Sequence, residues 1–263
     1  MQIDYISDLH INHYVPFMTN QLKWKDRTVT FIEEHLMPEA PSDILIIAGD
    51  FSEQNQQTIW TIDTFAMHYP HVLVVFGNHD LYLISKTQER KYKGDSRNRT
   101  KQIVDYFETY KNVHILDNEI VEINGKTFAG SKLWYNPKTE DGKWFYNNIS
   151  NDSQYIKIKH TLNSYEPIHE ADMTFYQSLI DSQTQVDVMI THVPPIIISE
   201  NTDDAYNECY TSPVPSLIAP FWVCGHQHIT YSFEKDGTQF HMNPMGYPNE
   251  RTTKKIKTMK VDD

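Results

Sequence analysis

Long apolar runs are missing from this chain of 263 residues. No stretch approaches the roughly 20 residues that a membrane-spanning helix requires, so a helical membrane protein is not expected. The start, Met1-Gln2-Ile3-Asp4-Tyr5, has neither the basic segment nor the apolar core of a secretion signal, and a cytoplasmic location is the expectation. Cysteine is nearly absent as well. Cys209 and Cys224 are too few for a disulfide framework, and Cys224 lies in the apolar run Phe221-Trp222-Val223-Cys224, where a small buried thiol fits a reducing compartment. Internal repeats are lacking. Basic residues are outnumbered by acidic ones, 23 to 35, and a formal charge of −12 repels a long polyanion, which disfavours nonspecific binding to a nucleic acid duplex.

What is present is enough apolar sequence, 39 %, for one substantial core, distributed as short runs. Gln2 to Ile6, Asp43 to Ala48 and His71 to Phe76 are β-branched or aromatic runs that read as strands. Between the second and third, Ile59, Ile62, Ala66 and Tyr69 recur at helical spacing with Phe65 beside them, which predicts an amphipathic helix over Gln54 to Tyr69. Strand, helix, strand implies a partly parallel sheet covered by helices. Farther on, Ile103, Val104 and Phe107 predict another helix, Val113 to Leu116 a strand, and Ile120 to Ala129 a hairpin turning at Asn124-Gly125. A helix follows with Met173, Tyr176, Leu179 and Ile180 on one face, then strands at Val186 to Thr191 and Phe221 to Cys224. A last hairpin joins Ile229 to Glu234 with Thr238 to Asn243 about Asp236-Gly237. The pattern reads as one domain over residues 1–250, with insertions at about 84–101 and 134–170 and a loose tail over 251–263.

Five short polar motifs sit at the ends of these runs: Asp8-Leu9-His10, Gly49-Asp50, Gly77-Asn78-His79-Asp80, Thr191-His192 and Gly225-His226-Gln227-His228. In an open α/β sheet the carboxyl ends of the strands face one crevice, so loops leaving separate strands can deliver side chains to one point. His10 lies two after Asp8 and His228 two after His226, a spacing at which an extended chain turns both side chains to the same side. The set Asp8, His10, Asp50, Asn78, His192, His226 and His228 offers two carboxylates, one amide and four imidazoles. That mixture suits two divalent ions, manganese first, with iron, zinc or nickel also accepted and calcium less so. Two such ions roughly 3.5–4 Å apart activate a water and clamp a phosphoryl group, which is what phosphate ester hydrolysis near neutral pH requires. Their four positive charges would bring the formal charge from −12 to about −8.

Taken in order as D-x-H, GD, GNH[DE], a lone His and GHxH, the motifs resemble those of the calcineurin-like metallophosphoesterases, with every position matched between residues 8 and 228. One four-residue word such as Gly-Asn-His-Asp arises by chance in a chain this long with a probability of roughly one in 600, and five in the right order are far more specific. The resemblance implies an α/β fold, a four-layer α-β-β-α sandwich, and a metal-dependent phosphoric ester hydrolase, phosphatase or phosphodiesterase, working by attack of a metal-bridging hydroxide. It implies one metal held by Asp8, His10, Asp50 and His228 and a second by Asp50, Asn78, His192 and His226, with Asp50 as the bridge. By the same resemblance His79 is not a ligand, and an imidazole beside two metals suits proton donation to the leaving oxygen. Asp80 either orients that imidazole or caps a helix after the turn.

Neighbouring branches of the family fit less well. Protein serine/threonine phosphatases carry Asp-Arg-Gly after the second motif and an Arg before the third, where this chain has Gly49-Asp50-Phe51-Ser52-Glu53 and Val75-Phe76-Gly77. Purple acid phosphatases place a metal-binding Tyr where Glu53 stands. Mre11-type nucleases append a capping domain that the roughly 35 residues after His228 cannot form. The nearer likeness is to small bacterial and phage phosphoesterases of the family, through Ala129-Gly130-Ser131-Lys132-Leu133-Trp134, Asn151-Asp152, Thr191-His192-Val193-Pro194-Pro195 and Asn243-Pro244-Met245-Gly246-Tyr247-Pro248-Asn249-Glu250.

The insertions bear on substrate. Between Lys86 and Lys101 stand seven basic residues, Lys86, Arg90, Lys91, Lys93, Arg97, Arg99 and Lys101, against Glu89 and Asp95. That segment is either a phosphate-gathering lid, with Lys86 and Arg90 touching substrate, or a solvated loop and helix start. The aromatic residues around Trp144-Phe145-Tyr146 either stack a nucleobase or pack over the core edge, and packing is commoner. His13, Tyr210 and Asn243 are further candidates for the pocket wall, with His13 kept out of the metal set. The expected function is hydrolysis of a small phosphate ester of the nucleotide or cyclic nucleotide class, with no membrane partner. The alternatives are a nuclease acting on single-stranded nucleic acid and a non-catalytic nucleotide-binding protein on the same fold.

Overall fold

Short β-branched runs become the strands of two sheets in the computed structural model, which describes residues 1–197 and 204–261. In the first sheet β1 (Gln2–Ile6), β2 (Ile44–Ala48), β3 (His71–Val75) and β4 (Val113–Ile115) run parallel. The second is built from β5 (Glu119–Ile123), β6 (Lys126–Ser131), β7 (Val188–Thr191), β8 (Phe221–Cys224), β9 (Tyr231–Lys235) and β10 (Thr238–Met242), in the spatial order β5-β6-β7-β8-β10-β9. Its four central strands are parallel, and β5 and β9 are antiparallel edges. β11 (Lys257–Lys260) pairs antiparallel with β1 and completes the first sheet.

Alternation of side chains explains how the sheets stack. Ile44, Ile46, Ala48, Leu73 and Val75 face the second sheet and pack on Phe128, Val188, Ile190 and Val223. Their neighbours Leu45, Ile47, Val72 and Val74 face the opposite way. Burial on both faces is why β2 and β3 read as continuous apolar runs rather than alternating ones. The helices are α1 (Ile11–Tyr14), α2 (Gln21–His35), α3 (Asn55–Ala66), α4 (Lys86–Lys91), α5 (Arg97–Phe107), α6 (Glu140–Asn148), α7 (Asp152–Tyr155), α8 (Tyr165–Asp181) and α9 (Asp204–Tyr210). Trp24 and Ile32 of α2, Ile62 and Phe65 of α3 and Ile103 and Phe107 of α5 cover the outer face of the first sheet. Tyr176 and Leu179 of α8 cover Trp222, Phe240 and Met242 on the outer face of the second. The layers are therefore helix, sheet, sheet, helix, the α-β-β-α sandwich expected. No helix among the described residues is long and apolar enough to cross a membrane.

Both hairpins turn where expected, because Asn124 and Gly125, and Asp236 and Gly237, all take the positive φ that a tight two-residue turn needs. Two expectations change, and one helix has no signal in the sequence. Residues 251–261 are not a loose tail: β11 lies beside β1 with Met259 and Val261 buried, a long-range pairing that a Lys-rich composition conceals. Residues 134–170, expected as an insertion without assigned elements, hold α6, α7 and the start of α8, which fold into a cluster of their own around Tyr135, Tyr146, Ile156, Tyr165 and Cys209. The 15-residue helix α2 carries only Trp24, Thr28 and Ile32 as its buried stripe, too thin an apolar face to announce itself.

Candidate metal centre

All five motif loops leave the carboxyl ends of parallel strands, β1, β2, β3, β7 and β8, and the two sheets bring those ends together. The loops bend abruptly. Asp8, His10, Asp50, His226 and His228 all have positive φ, between 42° and 70°, a left-handed conformation that costs a non-glycine residue about 1–2 kcal/mol. Hydrogen bonds hold it in place. Asp8 N donates to Gly49 O and His10 N to Asp50 O, both at 2.9 Å, while His226 N donates to Asp8 Oδ1 at 2.9 Å. Glycine at two positions is a matter of space. A Cβ on Gly49 would stand 2.5 Å from His192 Nδ1, and one on Gly77 would run into Asp50 Oδ1.

The outer nitrogen of each of three imidazoles is committed, which fixes the inner one. His192 Nδ1 donates to Ala48 O at 2.8 Å, His228 Nδ1 to Glu250 Oε2 at 2.7 Å, and His226 Nε2 to Cys209 O at 3.3 Å. Their inner nitrogens therefore present lone pairs. Those lone pairs meet other acceptors. Asn78 Oδ1 lies 3.0 Å from His192 Nε2 and 3.2 Å from His226 Nδ1, and His228 Nε2 lies 3.5 Å from Asp8 Oδ1 and 2.9 Å from His10 Nε2, a ring whose Nδ1 has no partner among the described residues to fix its tautomer. Asp50 Oδ2 stands between the two groups, 3.7 Å from His10 Nε2 and 3.5 Å from His192 Nε2. Acceptors facing acceptors in a buried site repel unless a cation lies among them. The spacing fits one: two donors about 2.1 Å from a single ion at tetrahedral or octahedral angles lie about 3.0–3.4 Å apart. Asp8, His10 and His228 form one group whose ligand atoms lie within 4.8 Å of one another, and Asp8, Asp50 and His192 form another.

Burial reinforces this polarity. It pushes the His10 imidazole well below its ordinary value, helped by the neighbouring His79 and His228 rings, and pushes His192 down to about 3. Burial also lowers His226 and, with the Asp8 and Asp80 charges, raises Asp50. Between pH 6.5 and about 3 the unfolded chain takes up a proton that folded His192 refuses, so this group is fully compatible with the fold above 6.5 and subtracts stability as pH falls through that window. Asp50 acts with the opposite sign. In chelated protein the His192 ring nitrogens should show no protonation shift by NMR from pH 7 to 5; titration near 6.5 would refute the burial argument.

His79 lies in the 3-10 turn after Asn78, with its ring 4.5 Å from that of His10. Nδ1 donates to Glu53 Oε1 at 3.1 Å and Nε2 lies 3.3 Å from Tyr247 OH. Burial opposes ionisation of Glu53, yet the His79 hydrogen bond and charge hold its carboxyl below the usual range. Asp80 takes neither of its two expected parts. Its carboxylate accepts from Asp50 N and Gly77 N at 2.9 Å and from Phe51 N at 3.1 Å, fastening the second motif loop to the third. Glu53 stands where Asp80 was expected, beside the imidazole.

Lys86 and Arg90 lie on α4 with exposed side chains and do not line the cleft over the centre. The basic segment instead contributes Arg99, which is fully buried. Its guanidinium donates to Ser52 O and His79 O at 2.5 Å, Asn55 Oδ1 at 2.7 Å and Tyr82 O at 2.9 Å, bracing the same two loops from behind. Arg99→Met should therefore cost about 3 kcal/mol in urea unfolding, because it strands buried carbonyls. A change below about 1 kcal/mol would mean that water replaces the guanidinium. Asn243 is structural, donating to Tyr5 O and Lys255 O, and His13 is exposed.

Tyr210 does line the cleft, a space of about 330 Å³ bounded also by Asp152, Tyr206, Gln227, Tyr247 and Glu250. Its ring stacks on Tyr206, with centroids 4.0 Å apart, and on His226 at 4.9 Å. Around the insertion packing prevails: Tyr146 is buried and Phe145 meets Tyr206 edge-on, while Trp144 is exposed. Glu53, Tyr82, Tyr135, Asp152, Tyr247 and Glu250 were not singled out as site residues. Tyr247, Glu250 and Asp152 lay within the words that carried the family likeness, and Glu53 within the word that excluded other branches.

A family model for calcineurin-like phosphoesterases matches residues 1–230. The uncharacterized protein L509 of Acanthamoeba polyphaga mimivirus is 25 % identical over 235 residues, covering 80 % of this chain and 81 % of that protein. The [acyl-carrier-protein] phosphodiesterase PptH of Mycobacterium tuberculosis is 21 % identical, covering 93 % of this chain and 78 % of that protein. The crystal structure of the M. tuberculosis phosphopantetheinyl hydrolase PptH superposes with a TM-score of 0.75 at 19 % identity, over 99 % of this chain and 96 % of that one.

Proposed function

The chain belongs to the calcineurin-like phosphoesterase family and is a phosphoric ester hydrolase, and on that premise we propose a two-metal phosphodiesterase for small esters carrying a single phosphate. Asp8, His10, Asp50 and His228 would hold one divalent ion and Asp50, Asn78, His192 and His226 the other, manganese first. The observation that carries this reading is the placement of Asp50 Oδ2 between the His10 and His192 nitrogens, with lone pairs converging on either side. When bound, the ions supply a water of lowered pKa and positive charge for the phosphoryl oxygens. His79, oriented by Glu53, then donates a proton to the leaving oxygen from Nε2, and Tyr247 OH beside that nitrogen lines the path. Residues 1–261, β11 included, are read as one catalytic domain.

The wall beside the centre favours an ester with a flat organic arm. The stacked Tyr206 and Tyr210 rings offer a face for a nucleobase, and a cleft of about 330 Å³ suits a mononucleotide-sized molecule, which supports the cyclic nucleotide class. Among the described residues no lysine or arginine lines that cleft, so phosphates beyond the one at the centre would find no side-chain cation. The likeness to PptH over 93 % of this chain favours a second reading, a phosphodiester borne on a carrier protein. A panel with manganese separates them: an aryl phosphodiester, an aryl monoester, cyclic nucleotides, phosphopantetheinylated carrier protein, single-stranded DNA and a nucleoside triphosphate. Single-phosphate diesters should be cleaved with at least tenfold higher kcat/KM than the triphosphate or the DNA. Preference for either polyanion would overturn the proposal.

A further inference from the structure

Asn78 is the one amide of the proposed ligand set, and it can point either its oxygen or its nitrogen at the centre. The two orientations are nearly equal in size and opposite in effect, because an NH2 group aimed at a cation repels it. What decides between them lies outside the five motifs. Asp152, buried at the start of α7 in the 134–170 insertion, places Oδ1 at 2.9 Å from Asn78 Nδ2. A carboxylate accepts only, so the amide must turn its nitrogen there.

Two tyrosines close the arrangement. Tyr82 OH also accepts from Asn78 Nδ2 at 3.0 Å and donates to Asp152 Oδ1 at 2.5 Å, while Tyr135 OH donates to Asp152 Oδ2. The amide nitrogen is then held by two acceptors, and Asn78 Oδ1 is left facing His192 Nε2 and His226 Nδ1. Tyr82 and Tyr135 are themselves buried, so the carboxylate cannot swing away without stranding two hydroxyls.

We propose that Asp152 is a positioning residue for the second metal site: with Tyr82 and Tyr135 it locks the Asn78 amide so that its oxygen serves as ligand. The insertion is thereby a working part of the metal centre. The inference rests on the two-metal reading above. Manganese titration of the full metal-free chain by calorimetry tests both. The wild-type chain should bind two ions, and Asp152→Asn, which lets either end of the Asn78 amide face the centre, should weaken one of them by roughly ten- to a hundredfold and leave the other within about threefold. Tyr82→Phe, a milder change that keeps the ring, should weaken the same ion by roughly three- to tenfold. Two ions bound with wild-type affinity by both variants, or both ions weakened alike, would overturn the role of Asp152 alone. A single ion bound by the wild-type chain would overturn the two-metal reading and this inference with it.

Discussion

Asp50→Asn should lower kcat/KM for phosphoester hydrolysis by about a thousandfold or more, equivalent to about 4 kcal/mol of transition-state stabilisation. The substitution is chosen for what it preserves. Asparagine matches aspartate in shape, tolerates the positive φ of 59° at this position, and keeps an oxygen to accept from His79 N at 2.8 Å. What it removes is the negative charge facing both ligand groups. One neutral oxygen cannot bridge two divalent cations, so at least one ion should be lost or displaced. Circular dichroism should be unchanged while metal content and turnover fall together. A loss of less than tenfold, with both ions retained, would remove Asp50 from the centre of the chemistry.

His79→Gln should reduce turnover by about a hundred- to ten-thousandfold for an ester with a poor leaving group, such as an alkyl phosphodiester. With a nitrophenyl ester the loss should shrink to less than about tenfold, since nitrophenolate departs without a proton. Glu53→Gln belongs to the same experiment. Its carboxylate fixes the ring through Nδ1 at 3.1 Å, so the variant should follow His79→Gln in leaving-group dependence with a smaller loss, about tenfold. Equal losses on both substrates would assign His79 to binding the phosphoryl group rather than to protonating the departing oxygen.

How far the sequence reaches can be seen at individual residues. The motif residues were legible because each follows an apolar run, and parallel strands gather such ends at one edge; Asn124-Gly125 and Asp236-Gly237 were legible because turn geometry is set locally. Glu53 and Asp80 were not separable. Both are carboxylates near His79, and only the path of the chain shows that Asp80 is taken up by three backbone N–H groups while Glu53 reaches the ring. Lys86, Arg90 and Arg99 looked alike within one basic run, yet α4 leaves the first two in solvent and α5 turns the third into the core. Asp152 lies 74 residues from the asparagine it contacts, and no spacing rule reaches that far.

The three bonds accepted by Asp80 bear on when the centre takes shape. Folding itself fastens the left-handed bend at Gly49-Asp50 to the loop around Gly77, and Arg99 braces both from the other side. Part of the entropy of ordering these loops is thus met by the fold's own contacts, which lessens what ion binding has to supply. Ions then add stability by mass action alone, in proportion to the logarithm of their concentration over Kd. A centre arranged in this way would exchange its ions reversibly, and the metal bound would follow the ions that surround it.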